Sequence, residues 1–487
     1  MNFRRGSNGG DYWAEPSAGT SEPAKLKLTD GSRVAVVGGG PAGSLFSYYL
    51  LNLAETAGLD LEVDLYEPRD FLSPTPTACN MCGGIISETL VQNLATDGIN
   101  LPATVNQRGI EAYVLHMDGR RVRIETPVQE KRIGSVYRGT GPRKLDLEKK
   151  TWKSFDGHLQ QLAIERGARP IRAKVAEVSW HDGSPGLAVK GGVLEVYDLV
   201  TVAVGVNSPA LRLFEKHPFD FEPPTTTKTF IREYYLGESV IENRLGNAMH
   251  VFLLNIPGLE FAAIVPKLNC ATVCLLGDGI DKEVFDRFLD SQEVKSCMPP
   301  EWQLGAFECN CSPRMNVRGA ARPFGDRVVF IGDSGVTRLY KDGIGAAYRT
   351  AKAAARTAVF AGVSSQDFRR NYWPTCKAIR NDNAIGRLVF AVSDQIQKSR
   401  LARSAVSRMV IQEQNNPRLA PRMSSVMWDM FTGSATYREI FLRTLHPAFL
   451  VRFVTSLMAS TFGRSADPSP AAASTALVTA GGDHEQR

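Results

Sequence analysis

Cysteine is scarce: eight in 487 residues, at 79, 82, 270, 274, 297, 309, 311 and 376. So few thiols over this length exclude a disulfide-stapled scaffold. No uninterrupted apolar run approaches the roughly 18–20 residues that a spanning helix needs. Behind Arg4 and Arg5 stands Gly-Ser-Asn-Gly-Gly rather than an apolar stretch, which argues against a secretory signal. There is no internal repeat, phosphate-binding P-loop, serine nucleophile elbow or nucleic-acid motif. His116, His217, His250 and His446 have no mutual spacing of a metal site, and His158 sits on a predicted helix as a surface residue. The expectation is a cytoplasmic protein with reduced thiols and no nucleic-acid partner.

What is present is an ordinary globular composition, 43% hydrophobic and 22% charged, long enough for two or three lobes. The net charge of +6 is local: residues 380–464 carry 12 Lys/Arg against 5 Asp/Glu. Such asymmetry points to an anionic partner, a lipid surface among the candidates. Residues 1–30 and 466–487 are rich in Gly, Ser, Ala and Pro and are predicted to be disordered.

The ordered body opens with an apolar β-branched run, 33–38, closed by glycines. A helical pattern over 41–57 and alternating Leu61, Val63 and Leu65 follow. This reads as β-α-β with a buried parallel strand. A second helix is expected over 155–167, stopped by Gly167, then strands near 171–179 and 198–204. Alternating runs over 226–310 predict a mostly antiparallel sheet inserted into the first lobe. A strand at 327–331, a small-residue helix at 345–361 and a mainly helical region over 378–465 complete the chain.

Two glycine clusters carry chemistry. Gly38, Gly40 and Gly43, with Pro41 and Ala42 between them, form Gly-x-Gly-x-x-Gly at a strand-to-helix turn. Glycines there let backbone approach a pyrophosphate, and the helix start aims unpaired N–H groups at it. Glu67 ends the next strand, at the distance expected of a carboxylate that accepts ribose hydroxyls. The second cluster is Gly332-Asp333 at a strand end, then Gly343 and Gly345 at a helix start. That arrangement suits the distal half of FAD: Asp333 for a ribityl hydroxyl, the glycines for the flavin's pyrimidine edge. Taken alone, Asp333 reads as a helix cap. Together the clusters imply a Rossmann-like α/β fold that binds FAD. The domains then run 31–212 and 323–377 for the FAD-binding lobe, 213–322 for the inserted substrate sheet, and 378–465 for the helical region.

These motifs, with Phe155–Gly167 between them, resemble the geranylgeranyl reductase family, within the flavoproteins similar to para-hydroxybenzoate hydroxylase. Order and spacing agree over roughly residues 32–365. Cys82-Gly83-Gly84 resembles the Cys-Gly-Gly segment that the family places near the flavin. The resemblance implies flavin-dependent reduction of C=C bonds in an isoprenoid chain, with Cys82 as the catalytic residue and Gly83 and Gly84 against the cofactor. It leaves NADPH, ferredoxin or a quinol as electron donor, since no second dinucleotide motif is present. Residues 260–266 lack the Trp of the family's Tyr-x-Trp-x-Phe-Pro stretch, and Trp152 and Lys153 stand where the family often has Arg. Val204 replaces the Asp of the hydroxylases' Ala-Asp-Gly motif, which argues against a hydroxylase. A flavin monooxygenase or halogenase, and an electron carrier to membrane quinone, are the rival readings. The carriers usually hold a C-terminal iron–sulfur cysteine cluster, and Cys376 is the last cysteine here.

Cys79 and Cys82 form C-x-x-C, open to three readings: a redox dithiol, half of a metal site with Cys309 and Cys311, or a single functional Cys82. The last is preferred, and no metal is expected. In the C-terminal region, Phe441, Leu445, Phe449, Phe453 and Leu457 recur at helical spacing among Arg438, Arg443 and Arg452. A basic amphipathic helix lying on a membrane and a helix packed on the body both fit.

Overall fold

A computed structural model describes residues 26–71, 82–126, 133–139, 153–215, 220–300, 302 and 307–462. A six-stranded sheet forms the first lobe. Ser32–Val37 lies at its centre, parallel to Leu61–Tyr66 on one side and to Leu199–Val202 on the other. Val328–Phe330 pairs parallel with Leu199–Val202, and Arg169–Ile171 with Leu61–Tyr66. Only Phe324–Gly325, at the edge, runs antiparallel. Central strands covered on both faces must be apolar throughout, and Val34, Ala35, Val36, Val200 and Val202 are fully buried.

Two helices pack on each other against this sheet. Pro41–Ala57 begins where the first strand ends, and Gly343–Phe360 lies across it. Ala346, Ala351, Ala354 and Ala355 are buried; with so small a side chain at the contact, the two backbones can approach closely. Phe155–Glu165 and Glu88–Thr96 pack into the same core. Ser154 caps the first of them, accepting from Gly157 N, and Gly167 (φ +111°) turns the chain away.

The second lobe is a seven-stranded, largely antiparallel sheet built around Phe230–Tyr235, Ala248–Phe252, Leu259–Pro266 and Cys270–Gly277. It also takes in Ala112–Met117 and Arg120–Glu125, two strands from the stretch assigned above to the nucleotide-binding lobe. Ala112–Met117 pairs parallel with Ala248–Phe252. Residues so distant in sequence join the sheet by a long-range parallel pairing that local alternation does not announce. One face packs on the helices Glu238–Arg244, Lys282–Asp290 and Gln292–Cys297. Part of the other face packs on the C-terminal helices, where Trp428, Met427 and Phe431 meet Tyr113, Val251 and Phe261.

Five helices fill the C-terminal region: Trp373–Lys398, Arg400–Asn415, Arg422–Thr432, Tyr437–Thr444 and Pro447–Phe462. Residues 26–30, expected to be disordered, are held in place. Leu28 is buried, Leu26 O accepts from Val363 N, and Asp30 Oδ1 accepts from Asp60 N. Residues 1–25 and 466–487 lie outside the described residues.

Candidate functional site: a cleft at the carboxyl ends of the parallel strands

The two glycine clusters meet. Gly38 follows the first strand at φ +107°, and a Cβ there would lie 2.5 Å from Ala203 O, at the end of the neighbouring strand. A Cβ at Gly43 would stand 1.8 Å from Gly38 O. No L side chain fits either position, which is how the turn stays tight enough for backbone to approach a ligand. The helix that follows has Pro41 in its first turn, no acidic residue there, and no side chain capping Gly40. Its N-terminal partial charge is left for an anion outside the protein.

From the far end of the chain, Gly332 (φ +57°) reaches the same place. A Cβ on it would lie 2.8 Å from Ala42 Cβ. Its N–H donates to Thr350 Oγ1 at 2.9 Å, and Gly205 N donates to Ser334 Oγ at 2.8 Å. Asp333, between them, has its carbonyl held by Asn316 Nδ2 at 3.0 Å. Its side chain is accessible, yet the protein surrounds it, and burial pushes the carboxyl up against the opposing pull of Thr337 and Arg138. An acid both enclosed and accessible faces an internal cleft rather than bulk water. Gly343 opens the next helix with its α-carbon toward Asp333: a Cβ there would come to 3.7 Å from Asp333 Oδ1. Asp342, in the left-handed region at φ +53°, turns the chain into that helix, and Gly345 leaves room for its carboxylate, 2.1 Å from where a Cβ would stand. Asp333 does not cap this helix, which begins after Asp342, and the Asp342 side chain makes no capping hydrogen bond either.

Glu67 is in place but engaged. Its Oε2 accepts from Gly39 N at 3.0 Å, and Arg69 binds both carboxylate oxygens through Nε and Nη2. With only 2% of Glu67 accessible, a ribose hydroxyl would reach this carboxylate only by shifting Arg69. Nearby, Gln160 Nε2 is a buried donor with no partner among the described residues, 2.5 Å from the Cβ position of Gly39. A dinucleotide offers the acceptor oxygens that such a donor lacks. Glycines that exclude Cβ atoms, an uncapped helix start, an orphaned buried donor and an accessible enclosed acid all suit FAD.

Cys82, Gly83 and Gly84 lie against Val136, Cys274 and Lys267, with Cys82 beside Arg138. Gly84 (φ +75°) packs on the strand Ile133–Val136, where a Cβ would stand 2.1 Å from Val136 O. Gly84 N donates to Cys82 Sγ at 3.4 Å, and Gly83 lies against Cys274, with 3.0 Å from its Cβ position to Sγ. Cys274 is fully enclosed; burial first and the neighbouring Cys82 second push its thiol up. Lys267 and Glu233 form a buried ion pair of 2.8 Å beside Gly84.

Arg138 joins the two halves, and no sequence motif marks it. Its Nε and Nη2 bind Asp156 Oδ1 and Oδ2 at 2.5 and 3.1 Å. Burial works against its charge, but Asp156, then Cys82, outweigh that and raise its pKa. Its charge also opposes the burial-driven rise of the Asp333 carboxyl. Arg138 thus lies between the Cys-Gly-Gly segment, the helix beginning at Phe155 and the Gly-Asp turn.

Cys79 lies outside the described residues, as does the side chain of Cys309, so the dithiol and four-thiolate readings have no described geometry. A different cluster does form. His116 and His250, 134 residues apart, sit on the adjacent strands Ala112–Met117 and Ala248–Phe252, with Nε2 and Nδ1 at 2.8 Å. Cys297 completes a buried trio whose ligand atoms lie within 4.8 Å of one another. Sequence spacing gave no sign of it, because strand pairing rather than a local turn brings the residues together.

In the C-terminal region, Phe449 and Phe453 of the predicted stripe pack into the core. Arg443 binds Asp429 and Glu439, and Arg452 faces Glu413 at 3.8 Å. Leu445 of that stripe is exposed instead, as are Leu442, Leu450, Val451, Val454 and Met458. No single described helix is long and apolar enough to cross a membrane. One pair, Tyr437–Thr444 and Pro447–Thr461, bent by 66°, is so only when taken together.

No protein-family model and no curated protein matches the sequence. Solved structures do match in fold. A geranylgeranyl bacteriochlorophyll reductase-like protein from Thermoplasma acidophilum superposes with a TM-score of 0.60 at 17% identity, over 86% of this chain and 99% of that one. A flavoprotein/dehydrogenase from Cytophaga hutchinsonii gives 0.58 at 14% identity, over 88% and 100%. The halogenase PltM, solved with phloroglucinol and FAD, gives 0.56 at 12% identity, over 92% and 94%. The chain has the fold of the FAD-dependent flavoprotein oxidoreductases.

Proposed function

We propose that the chain binds FAD in this cleft and hydrogenates C=C bonds in an isoprenoid substrate. The observation that carries the reading is the meeting of Gly38–Gly43 with Gly332-Asp333 and Gly343, beside a Cys-Gly-Gly segment linked to them through Arg138. Gly38, Gly40, Gly43 and the start of the Pro41–Ala57 helix would hold the pyrophosphate. Asp333 would hold a ribityl hydroxyl, and Gly343 and Gly345 would lie at the pyrimidine edge.

Reducing an isolated C=C bond takes a hydride at one carbon and a proton at the other, and FAD, once reduced, supplies the hydride. The chain's own residues position, dry and protonate. Cys82 stands with its sulfur fixed by Gly84 N and Arg138, where it would hold the proton for the second carbon.

The test is anaerobic reduction of the purified protein followed by a geranylgeranylated lipid. Re-oxidation with a mass gain of about two per bond, the mass of H2, supports the reading. Turnover only with oxygen, with an oxygen atom in the product, would move the protein to the monooxygenase and halogenase class. Re-oxidation by a quinone without hydrogenation would make it an electron carrier.

We further propose that the exposed apolar face of the last two helices rests on a lipid surface. Six large apolar side chains exposed on or between the last two helices, in a region of positive charge, favour an interfacial position over bulk water.

A further inference from the structure

His116, His250 and Cys297 sit on the face of the inserted sheet turned away from Tyr113, Leu115 and Val251. Side chains alternate along a strand, so both histidines point with Phe252 toward the helices Lys282–Asp290 and Gln292–Cys297. His116 stacks on Phe252 at 4.5 Å, and Phe252 meets Phe288 edge-on at 5.1 Å. All three residues are shut off from solvent: His116 is 0% accessible, His250 4% and Cys297 1%.

The hydrogen bonds of this pair do not close. Burial keeps both rings neutral. His250 Nε2 faces Leu245 O at 3.3 Å. A carbonyl only accepts, so that nitrogen carries the proton, and Nδ1 presents a lone pair to His116. His116 then donates from Nε2 across 2.8 Å. Its Nδ1 is left as a second lone pair, buried with no partner among the described residues. Buried polar atoms are almost always satisfied, and what this nitrogen lacks is a donor or a cation. The Cys297 thiol donates only to Val294 O of its own helix, at 3.2 Å, a bond that one side-chain rotation gives up. The Leu245 contact is also the kind that orients a ligating imidazole, since a metal-bound histidine almost always donates its other N–H to a carbonyl, a carboxylate or water.

We propose that His116, His250 and Cys297 bind one Cu(I) ion. Two imidazoles and a thiolate make a soft, three-membered donor set, and thiolate favours Cu(I) and Zn(II) over harder cations. Charge decides between those two. The charged groups that act on the trio are cations: Arg121, paired across the strand from His116, and Arg123. Glu293, one turn before Cys297, is held by Gly119 N at 3.0 Å. Cu(I) with a thiolate is neutral. Zn(II) with a thiolate would leave a net positive charge buried beside two arginines, and without the fourth ligand that zinc takes. Metal–nitrogen bonds of roughly 2 Å set two nitrogens about 3.4 Å apart. The pair therefore opens by about half an ångström, and the thiol, within 4.8 Å of both rings' ligand atoms, turns in to meet the ion. The thiol proton leaves to solvent, the ring proton of His116 stays on the nitrogen that does not ligate, and no electron moves. The ion would staple two strands to the helix Gln292–Cys297 inside the inserted lobe, and the site does not rest on the functional reading above.

The test is anaerobic titration of the full-length, metal-stripped protein with Cu(I) against bicinchoninate, a competing Cu(I) chelator, with Zn(II) in a parallel series. X-ray absorption at the copper edge reads the donor atoms, and flavin content is measured on every sample. The wild type is expected to take one Cu(I) per chain from the chelator, with two nitrogens and one sulfur around it. Cys297→Ser should weaken that binding at least about 100-fold, since even an outer partner of a ligand is worth roughly 10- to 100-fold. Cys376→Ser, which alters a buried thiol elsewhere, should leave it unchanged. His116→Phe keeps a ring against Phe252 and removes both nitrogens; it should match Cys297→Ser and serves if that variant does not fold. No uptake against the chelator, copper surrounded by sulfur alone, binding that survives in both ligand variants, or Zn(II) held more tightly than Cu(I) would overturn the proposal. A protein that binds Cu(I) through the trio but holds no flavin would retain this site and sink the functional reading alone.

Discussion

Gly332 and Ala42, 290 positions apart in the chain, stand so close that a methyl group on the glycine would lie 2.8 Å from that of the alanine. This contact fastens the second glycine cluster to the first. Gly332 also has φ +57°, so an alanine there meets both the contact and about 1–2 kcal/mol of backbone strain. Gly58 has φ +70° with nothing within 4 Å of its Cβ position. Gly332→Ala is expected to lose flavin and stability, whereas Gly58→Ala loses only the backbone contribution and keeps its flavin. Absorbance and thermal unfolding of the two variants check this.

Asp333 and Arg138 separate binding from folding. Asp333→Asn keeps the size of an accessible side chain and is expected to unfold like the wild type. A hydrogen bond to a charged group contributes roughly 1.5–3 kcal/mol, so its flavin affinity should fall about 10- to 150-fold, measured by reconstitution of stripped protein. Arg138→Met removes the bidentate guanidinium from the buried Asp156, which costs about 3–5 kcal/mol. Arg138→Met with Asp156→Leu should recover most of that stability without recovering flavin affinity. Recovery of both would make the pair purely structural.

The buried histidine pair predicts a pH dependence with a definite sign. Burial lowers His116 to about 2, with His250 and Arg121 adding to it, and lowers His250 to about 4. The unfolded chain titrates near 6.5, so as pH falls below that value it takes up protons that the folded state refuses. Stability is then lost at up to about 1.4 kcal/mol per pH unit per histidine, continuing to about pH 4 for His250 and lower for His116. Denaturant unfolding between pH 7 and 5 should show that slope, and a His116→Leu/His250→Leu double variant should flatten it.

The legible part of this protein is the part set by local backbone demands. A tight phosphate turn needs glycines at fixed offsets, so Gly38, Gly40 and Gly43 and the β-α-β around them could be read directly, as could Gly332-Asp333. The engagement of Glu67 by Arg69 was not legible, since nothing in the spacing says which cation will turn back onto the carboxylate. Arg138 was hidden because it follows a four-residue strand and matters only through Asp156, Cys82 and Asp333, each from a different part of the chain. The same holds for His116 and His250, joined by a parallel strand pairing across 134 positions. In the last helices, periodicity found the inward stripe of Phe449 and Phe453. It also placed Leu445, which is exposed, in that stripe, and did not find the rest of the exposed apolar residues, because a helix apolar on both sides has no strong moment to detect.

Those exposed residues give a prediction of their own. Leu442→Glu with Val451→Glu places two charges on an exposed surface away from the core. Folding and flavin content are expected to be unchanged, while co-sedimentation with anionic vesicles falls by about tenfold or more, given the cost of charge at a lipid interface. Wild-type protein that ignores vesicles would remove the lipid-surface proposal.

The most direct measurement is the absorbance and cofactor mass of the purified protein, beside Gly43→Ala, in which the new Cβ would stand 1.8 Å from Gly38 O. The account predicts that the wild type absorbs at about 450 nm, as oxidised flavin does, and releases FAD, with a folded Gly43→Ala fraction that holds little or none. A folded wild type that neither carries FAD nor takes it up would contradict it.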